Sequence, residues 1–308
     1  MPSRGFTLLI VLLFLVMVTW QLTRAYLEPY SAAPKFKGAL DEAVKDGETT
    51  WTLYHNGRRL GTNKSQVRVD PGSGYMLKQV LHLDGDLDHF LNLKVLKTLF
   101  QLNFDLEISL LLETNTRVTY LGSLISMDAR TNIKLTKQSV GPEIMASFSA
   151  LADEGFLRLS GHINLAGTKL RLPDDYRIRY DSKNLFFGSL NPADVMPGLL
   201  PGQQWEAPLI DLSALLSTPA NMANSANLEV PERKPIRVRV KEELQALQWH
   251  GQTTPCFVVE CKQRGLVINL WVRVSDGRVL KQAARWGEST YLEIVRDPPK
   301  PRPGVETS

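Results

Sequence analysis

The chain has few cysteines and no paired Cys/His cluster, so neither a set of disulfides nor a structural zinc site is expected to stabilise it. Only Cys256 and Cys261 occur among 308 residues, and no second Cys/His pair stands at the spacing of a zinc finger. If both cysteines lie on one strand, an offset of five residues places their side chains on opposite faces, too far apart for a disulfide. We expect two small, partly buried apolar residues, and no metal or other cofactor.

A strong excess of positive charge is also missing. The formal net charge is +4, and Arg4 and Arg24 precede the first acidic residue, Glu28, so residues 26–308 carry only +2. The basic residues are spread along the chain and form no domain-scale patch. This distribution is not typical of a nucleic-acid-binding surface, and we expect no nucleic-acid partner.

Catalytic motifs are absent as well. The five histidines are scattered, and neither HExxH nor G-x-S-x-G occurs. Asp84, Asp86 and Asp88 alternate as calcium ligands do. However, His89 stands where an EF-hand needs glycine, and Val95 stands where it needs the closing acid. We interpret this segment as a solvated acidic turn, and we expect that the protein is not an enzyme.

The sequence does contain one long apolar run, residues 6–22. Its 17 residues would span about 25 Å as a helix, which is the short end of a membrane span but longer than a signal-peptide core. We expect an uncleaved signal-anchor helix, in which residues 1–25 form the transmembrane anchor. A cleaved signal peptide, with a mature chain that begins near residue 26, is the alternative. The predicted membrane-contacting residues include Phe6, Leu12, Phe14 and Trp20.

Charges around the run give its expected orientation. Arg4 and the free amino terminus favour a cytoplasmic N-terminus, although Arg24 lies just beyond the run. We therefore expect a single-pass membrane protein whose body is extracytoplasmic, in the periplasm. Its predicted partners are membrane lipid, through the N-terminal helix, and a protein of the cell envelope.

The body, residues 49–296, has the pattern of a mainly β, antiparallel domain. Asn56-Gly57 between strand formers predicts a hairpin, and the alternation of apolar and polar residues over 102–110 predicts a sheet with one buried face. Residues 26–48 are interpreted as a linker or short helix, and residues 84–100 fit helix and strand equally well. Further strands are predicted over 75–83, 117–127, 131–136, 156–163, 168–172, 176–180, 236–240, 256–261, 266–274, 278–284 and 291–295.

The remaining segments are predicted to connect these strands. Residues 191–208 contain four prolines and two glycines and indicate an ordered connection with Trp205 packed at its end. Residues 217–233 are rich in Ala, Asn and Ser and indicate a flexible insertion, whereas residues 297–308 are expected to form a disordered tail.

One predicted strand carries a row of basic residues. Arg237, Arg239 and Lys241 alternate, so they project from one face and could contact anionic lipid headgroups. The alternative is an ordinary solvated face of the sheet.

Three stretches of the chain carry a family resemblance. They are Trp51-Thr-Leu-Tyr-His-Asn-Gly57-Arg-Arg-Leu-Gly61, Met196-Pro-Gly-Leu-Leu-Pro-Gly-Gln-Gln-Trp205 and Trp271-Val-Arg-Val-Ser-Asp-Gly-Arg-Val-Leu280. Together they resemble an uncharacterised family of exported β-domains, found alone or ahead of transglutaminase-like protease domains. The resemblance implies a curved antiparallel sheet, or a half-barrel around a helix or plug, similar to the lipoprotein-carrier proteins. It implies no catalytic residues.

The resemblance limits the functions to be considered. A transglutaminase-like domain needs a Cys nucleophile with His and Asp in a further globular unit, so we expect any peptidase activity to belong to a partner. Three interpretations remain open. The protein is a membrane-anchored, non-catalytic interaction or scaffold module, a carrier that binds lipid or another hydrophobic ligand on the concave face of its sheet, or an accessory partner of an envelope peptidase.

Overall fold

A computed structural model describes residues 36–86, 107–136, 143–165, 167–172, 176–179, 194–207, 236–263, 266–286 and 290–299. Within these ranges the chain is mainly β, with one helix and sixteen strands. The strands form one curved, open, antiparallel sheet. Our predictions for residues 1–25, 87–100, 217–233 and 300–308 lie outside the described residues.

The bounds of the elements are as follows. The helix is α1 (Phe36–Asp46), and the first nine strands are β1 (Glu48–His55), β2 (Arg58–Asp70), β3 (Gly74–Asp86), β4 (Glu107–Val118), β5 (Leu124–Thr136), β6 (Glu143–Asp153), β7 (Phe156–Leu165), β8 (Thr168–Arg171) and β9 (Arg177–Arg179). The other seven are β10 (Gln204–Ala207), β11 (Ile236–Val240), β12 (Gln245–Trp249), β13 (Gln252–Gln263), β14 (Leu266–Arg273), β15 (Val279–Trp286) and β16 (Thr290–Arg296).

The sheet joins the two ends of the body. Its strand order is β10-β11-β13-β14-β15-β16-β1-β2-β3-β4-β5-β6-β7-β8, while β12 pairs with β13 and β9 pairs with β7. Most neighbours in the sheet are also neighbours in sequence, as in a meander. One neighbouring pair comes from distant parts of the sequence: β1 pairs with β16, which places Trp51 opposite Arg296.

The hairpin predicted at Asn56-Gly57 is confirmed. The backbone φ angles of Asn56 and Gly57 are +48° and +80°, the positive pair that a two-residue type I′ turn requires. β1 and β2 leave this turn as antiparallel neighbours. The local sequence signal was sufficient because turn and strands are contiguous.

The strand predicted over 117–127 is wrong. β4 ends at Val118 and β5 begins at Leu124, and the residues between them form a turn in which the Thr119 amide donates to the carbonyl of Ser123 at 2.8 Å. Gly122 has a φ of +85°, which an extended strand does not adopt. The apolar residues on both sides of this turn produced the false continuous pattern.

Helix α1 packs against one face of the sheet, which we call the inner face; the opposite one is the outer face. Tyr75 on β3 donates its hydroxyl proton to the carboxylate of Asp41 on α1, and this hydrogen bond raises the pKa of Tyr75 to about 12. The helix-side core consists of Leu40, Ala43, Val67, Tyr75, Val118, Leu124, Met127, Ala150, Leu157 and Leu159. Among the described residues, no helix is both long enough and apolar enough to cross a membrane.

A second core lies on the inner face where the connection, residues 194–207, crosses it before its last four residues join the sheet as β10. Met196 and Leu199 from this connection pack against buried side chains of the sheet, and Trp205 packs at its end as predicted. The buried sheet residues of this core are Trp51, Val238, Val240, Val259, Leu270, Val272 and Val279.

Both cysteines lie on β13 and are free thiols. Cys256 pairs with Arg273 and Cys261 pairs with Ile268 across the ladder to β14, so the offset of five residues places the two thiols on opposite faces of one strand, as predicted. Burial raises the pKa of Cys256 to about 11 and that of Cys261 to about 12. Both thiols are therefore protonated at neutral pH.

Candidate functional site

A strip of aliphatic side chains lies on the inner face, on five neighbouring strands from β16 through β1 to β4. Buried Leu53, Leu60 and Leu81 form its base. Five further side chains pack against this base and are only partly buried: Leu83, Leu110, Leu112, Leu292 and Ile294. We call these eight residues the leucine strip. Four spacings between adjacent strands give it a length of about 20 Å across the sheet.

Strand periodicity explains why the strip is apolar. Along β4, Leu110 and Leu112 face inward, whereas Leu111 between them faces outward and is 37% exposed. The ladder between β3 and β4 sets Leu83 opposite Leu110 and Leu81 opposite Leu112. The register therefore gathers leucines from separate strands into one surface.

A row of uncharged polar side chains separates the leucine strip from the helix-side core. Thr49, Ser65, Gln79 and Thr114 are buried and lie opposite one another on β1, β2, β3 and β4. Buried polar groups of this kind need hydrogen-bond partners. The inner face is therefore not uniformly apolar.

The buried polar atoms near the strip that lack a hydrogen-bond partner among the described residues include Oδ1 of Asn63 and Nε2 of Gln282. Asn63 lies between Trp51 and Leu81 in the ladder, and Gln282 lies directly opposite Ile294. A buried unsatisfied group costs about 1–3 kcal/mol, so each atom is a candidate for contact with a bound molecule.

The carboxylate of Asp194 is buried where the connection crosses β1 and β2. Its Oδ2 accepts a hydrogen bond from Ser65 Oγ at 3.0 Å, and its Oδ1 accepts one from Trp51 Nε1 at 3.2 Å. The backbone carbonyl of Asp194 accepts from Arg296 Nη1 at 3.0 Å. Burial raises the pKa of Asp194, although the charge of Arg296 and the hydrogen bond from Ser65 oppose this effect.

Asp46, at the end of α1, is shared by two arginines. Arg296 Nη2 donates to Asp46 Oδ2 at 2.8 Å, Arg278 Nε donates to the same oxygen at 2.9 Å, and Arg278 Nη2 donates to Oδ1. Burial works against ionisation of Asp46. The hydrogen bonds from Arg278 and the charge of Arg296 outweigh it and lower the pKa of this carboxyl.

The turn between β14 and β15 extends this arrangement. Asp276 accepts from Arg273 Nε at 2.8 Å and from Arg278 Nη1 at 2.8 Å. Burial again opposes ionisation, but the hydrogen bond from Arg273 helps to lower the pKa of Asp276. Arg278 thus bridges the turn to helix α1.

Three arginines and three aspartates therefore form one arginine–aspartate network. Its members are Arg273, Arg278, Arg296, Asp46, Asp194 and Asp276. The network ties the helix, the connection, the β14–β15 turn and the last strand together. Within the described residues each carboxylate accepts hydrogen bonds from side chains of the protein, so we interpret the network as a structural clamp.

The predicted lipid-contacting residues lie at one side of the sheet. Arg237 and Arg239 are exposed on β11, and Lys241 directly follows the strand. Arg239 Nη2 lies 3.5 Å from Glu242 Oε1, and Glu206 on β10 is opposite Arg237. These acids reduce the local positive potential, and contact with anionic lipid stays a prediction.

The other predicted features fall partly outside the described residues. Phe6, Leu12, Phe14 and Trp20 of the predicted anchor lie outside them, as does Asp88 of the predicted acidic turn. The prediction of a turn is wrong for Asp84 and Asp86, because both lie in β3 and pair with Ser109 and Glu107 of β4. Across the described ranges, no group of three or more His, Cys, Asp or Glu side chains is placed to hold a metal ion.

Sequence reasoning missed the members of the arginine–aspartate network. Asp194 and Arg296 are 102 residues apart in sequence, and Asp46 and Arg296 are 250 apart. No short motif marks such a grouping, because only the pairing of β1 with β16 brings the residues together. The one available signal was Asp194 itself, a charged residue directly before the mostly apolar residues 195–201.

Comparison with protein-family models and with curated proteins gives no match. Among solved structures, the chain is similar to a β-barrel-like protein of a domain of unknown function, DUF1849, from Brucella abortus. The two chains are 10% identical, the similarity covers 81% of this chain and 94% of that chain, and the TM-score is 0.37.

Proposed function

We propose that this protein is a non-catalytic β-domain that binds the apolar chain of a lipid along its leucine strip. One observation carries the proposal. Five aliphatic side chains of the strip stay partly exposed on the inner face of an open sheet, although they pack against a buried base. Covering such a surface is favourable by about 25 cal/mol for each Å² of apolar area removed from water.

The shape and chemistry of the strip favour an elongated aliphatic ligand. Its length of about 20 Å across five strands suits an extended hydrocarbon chain better than a compact ring system. The partly exposed members are Leu and Ile alone, without charged side chains among them. Gln282 Nε2, which lies opposite Ile294 in the ladder, is placed to donate to a carbonyl or carboxylate oxygen of the bound molecule.

The predicted membrane anchor fits this function. An N-terminal helix formed by residues 6–22 would hold the domain close to a source of lipid, with the N-terminus in the cytoplasm and the body in the periplasm. Tethering would raise the effective concentration of lipid at the strip. The anchor, the topology and the identity of the lipid are parts of the proposal.

The test uses the full chain purified in mild detergent. Native mass spectrometry should detect co-purified lipid, and a fluorescent fatty acid should bind with saturation. Leu110→Gln places a polar group in the strip, and we expect it to weaken binding of the fatty acid about tenfold, because a buried side chain of this size contributes about 1.5–3 kcal/mol.

Leu111→Gln is the matched control. It makes the same chemical change on the next residue of β4 but on the outer face, where Leu111 is 37% exposed. Because Leu111 does not face the strip, the affinity for the fatty acid should stay within about twofold of that of the original chain. A clean apo mass together with no saturable binding would overturn the proposal. That result would favour an interaction or scaffold module, including an accessory partner of an envelope peptidase.

A further inference from the structure

A polar groove lies on the outer face of the sheet, across β6, β7 and β8. Its volume is about 270 Å³. The side chains that line it are Ser147, Ser149, Ser160, His162, Lys169 and Arg171. It is separate from the leucine strip, because it occupies the opposite face of the sheet and different strands.

Strand register builds the groove. Ser147 on β6 lies opposite His162 on β7, which in turn lies opposite Arg171 on β8. Ser149 and Ser160 form the neighbouring pair on the same face. Two adjacent rows of the ladder thus place hydroxyl, imidazole and guanidinium groups around one depression.

Gly161 lies between these two rows, and close packing of the neighbouring strand β6 explains why this position has no side chain. A Cβ at this position would lie 2.7 Å from Cδ1 of Phe148 and 2.4 Å from the carbonyl oxygen of Ser147. Phe148, opposite Gly161 in the ladder, is therefore held close to the backbone on the inner face. The backbones of β6 and β7 and the ring of Phe148 are therefore closely packed beneath the groove.

The lining of the groove is positively charged and contains no acidic residue. Lys169 and Arg171 are exposed, and among the described residues neither side chain forms an ion pair or a hydrogen bond. This differs from β11, where Arg239 has an ion pair with Glu242. The groove therefore combines unneutralised cations with hydroxyl donors.

We infer that this groove binds a phosphate-class oxyanion, either as a free small molecule or as the headgroup phosphate of a lipid. The guanidinium of Arg171 offers paired N–H donors that match two oxygens of a phosphate, and Lys169 adds a second positive charge. Ser147 and Ser160 supply hydroxyl donors for the remaining oxygens. The inference does not depend on the leucine strip or on its ligand.

One acidic residue just outside the groove sets a limit on its affinity. Asp128 on β5 accepts a hydrogen bond from Ser149 Oγ at 2.6 Å, so that hydroxyl proton is not available to the anion. The charge of Asp128 also repels an anion. Asp128→Asn keeps an oxygen acceptor for Ser149 and removes the charge, so it should tighten binding of the anion.

The test is isothermal titration of the full chain in neutral detergent with inorganic phosphate at constant ionic strength. The double variant Lys169→Ala/Arg171→Ala should bind phosphate at least about tenfold more weakly, because it removes both positive charges and their hydrogen-bond donors from the groove. The control double variant Arg59→Ala/Lys78→Ala changes the net charge equally at exposed positions on β2 and β3. It should bind phosphate within about twofold of the original chain.

A second arm distinguishes the two sources of phosphate. All variants are compared for binding to phosphatidylcholine vesicles with and without phosphatidic acid. Saturable binding of inorganic phosphate that the groove variants weaken supports a free anion. A preference for phosphatidic acid that only the groove variants lose supports a lipid headgroup. Absence of both, or an equal loss in the control double variant, overturns the inference, and thermal unfolding of each variant verifies that it is folded.

Discussion

Arg296 on the last described strand donates a hydrogen bond to Asp46 at the end of helix α1, with Nη2 and Oδ2 2.8 Å apart. The two residues are separated by 250 positions in sequence, and both side chains are about nine-tenths buried. The guanidinium also lies 5.7 Å from the ring centre of Trp51. This pair therefore closes the body by joining its first helix, its first strand and its last strand.

Breaking this pair from one side should be strongly destabilising. Arg296→Met removes the donor to Asp46 and to the backbone carbonyl of Asp194, and it leaves buried acceptors without compensation. We expect a loss of about 3–5 kcal/mol in the free energy of unfolding, measured by urea denaturation of the full chain with intrinsic fluorescence.

A double-mutant cycle isolates the pair. Asp46→Asn combined with Arg296→Met should cost less than the two single changes added together, with a coupling of about 0.5–3 kcal/mol. Lys45→Met is the control, because Lys45 lies next to Asp46 and, within the part of the chain that the structure describes, pairs with Glu42 alone at an exposed site. It should leave stability nearly unchanged. Strict additivity of the two changes would contradict the role given to the pair.

A fall in pH should change the contributions of Asp46 and Asp194 to the stability of the folded chain in opposite directions. The native pKa of Asp46 lies below its ordinary value of 3.8, so between these two values the unfolded chain binds more protons. The stability that ionised Asp46 contributes is complete above pH 3.8 and is lost as the pH falls through the native pKa. Urea denaturation between about pH 3 and pH 7 should show a smaller loss for Asp46→Asn than for the original chain.

Asp194 should behave in the opposite way. Its native pKa is raised above 3.8, so its contribution is most favourable below 3.8 and declines as the pH rises through the native pKa. The free energy of unfolding of Asp194→Asn, taken relative to that of the original chain, should therefore be higher at neutral pH than in acid. Parallel pH profiles for the Asp46 and Asp194 variants would contradict these assignments.

The sequence predicted the parts of this fold that depend on neighbouring residues. The Asn56-Gly57 turn is local, and β11 has the predicted bounds because apolar and basic residues alternate within five positions. β6 and β12 were not predicted. β6 is rich in Ala and Ser, which are weak strand formers, and its place in the sheet depends on pairing with β5 and β7.

The candidate sites depend even more on distant contacts. Leu83 and Leu292 belong to one strip only because β16 pairs with β1 and because β1, β2 and β3 follow in order. Likewise, Arg171 meets His162 through the β7–β8 ladder. Alternation along a strand predicts which side chains share a face, but it does not predict which strands are neighbours.

Gly277 should be much less tolerant of substitution than Gly57, although both have positive φ angles, +70° and +80°. A Cβ on Gly277 would lie 2.8 Å from the carbonyl oxygen of Met196, whereas a Cβ on Gly57 would meet no atom within 4 Å. Gly57→Ala should therefore cost only the conformational strain, about 1–2 kcal/mol. Gly277→Ala adds a clash with the connection, and we expect a total loss of roughly 3 kcal/mol or more.

The same clash should displace the connection from the sheet. The Met196 amide donates to the carbonyl of Gly277 at 2.7 Å, so moving either backbone weakens this bond and the packing of Asp194 beside it. Urea denaturation gives the loss of stability, and amide hydrogen exchange should show faster exchange at Met196 in Gly277→Ala but not in Gly57→Ala. Equal losses in the two variants would mean that backbone strain alone governs both positions, and that the close approach at Gly277 does not hold the connection in place.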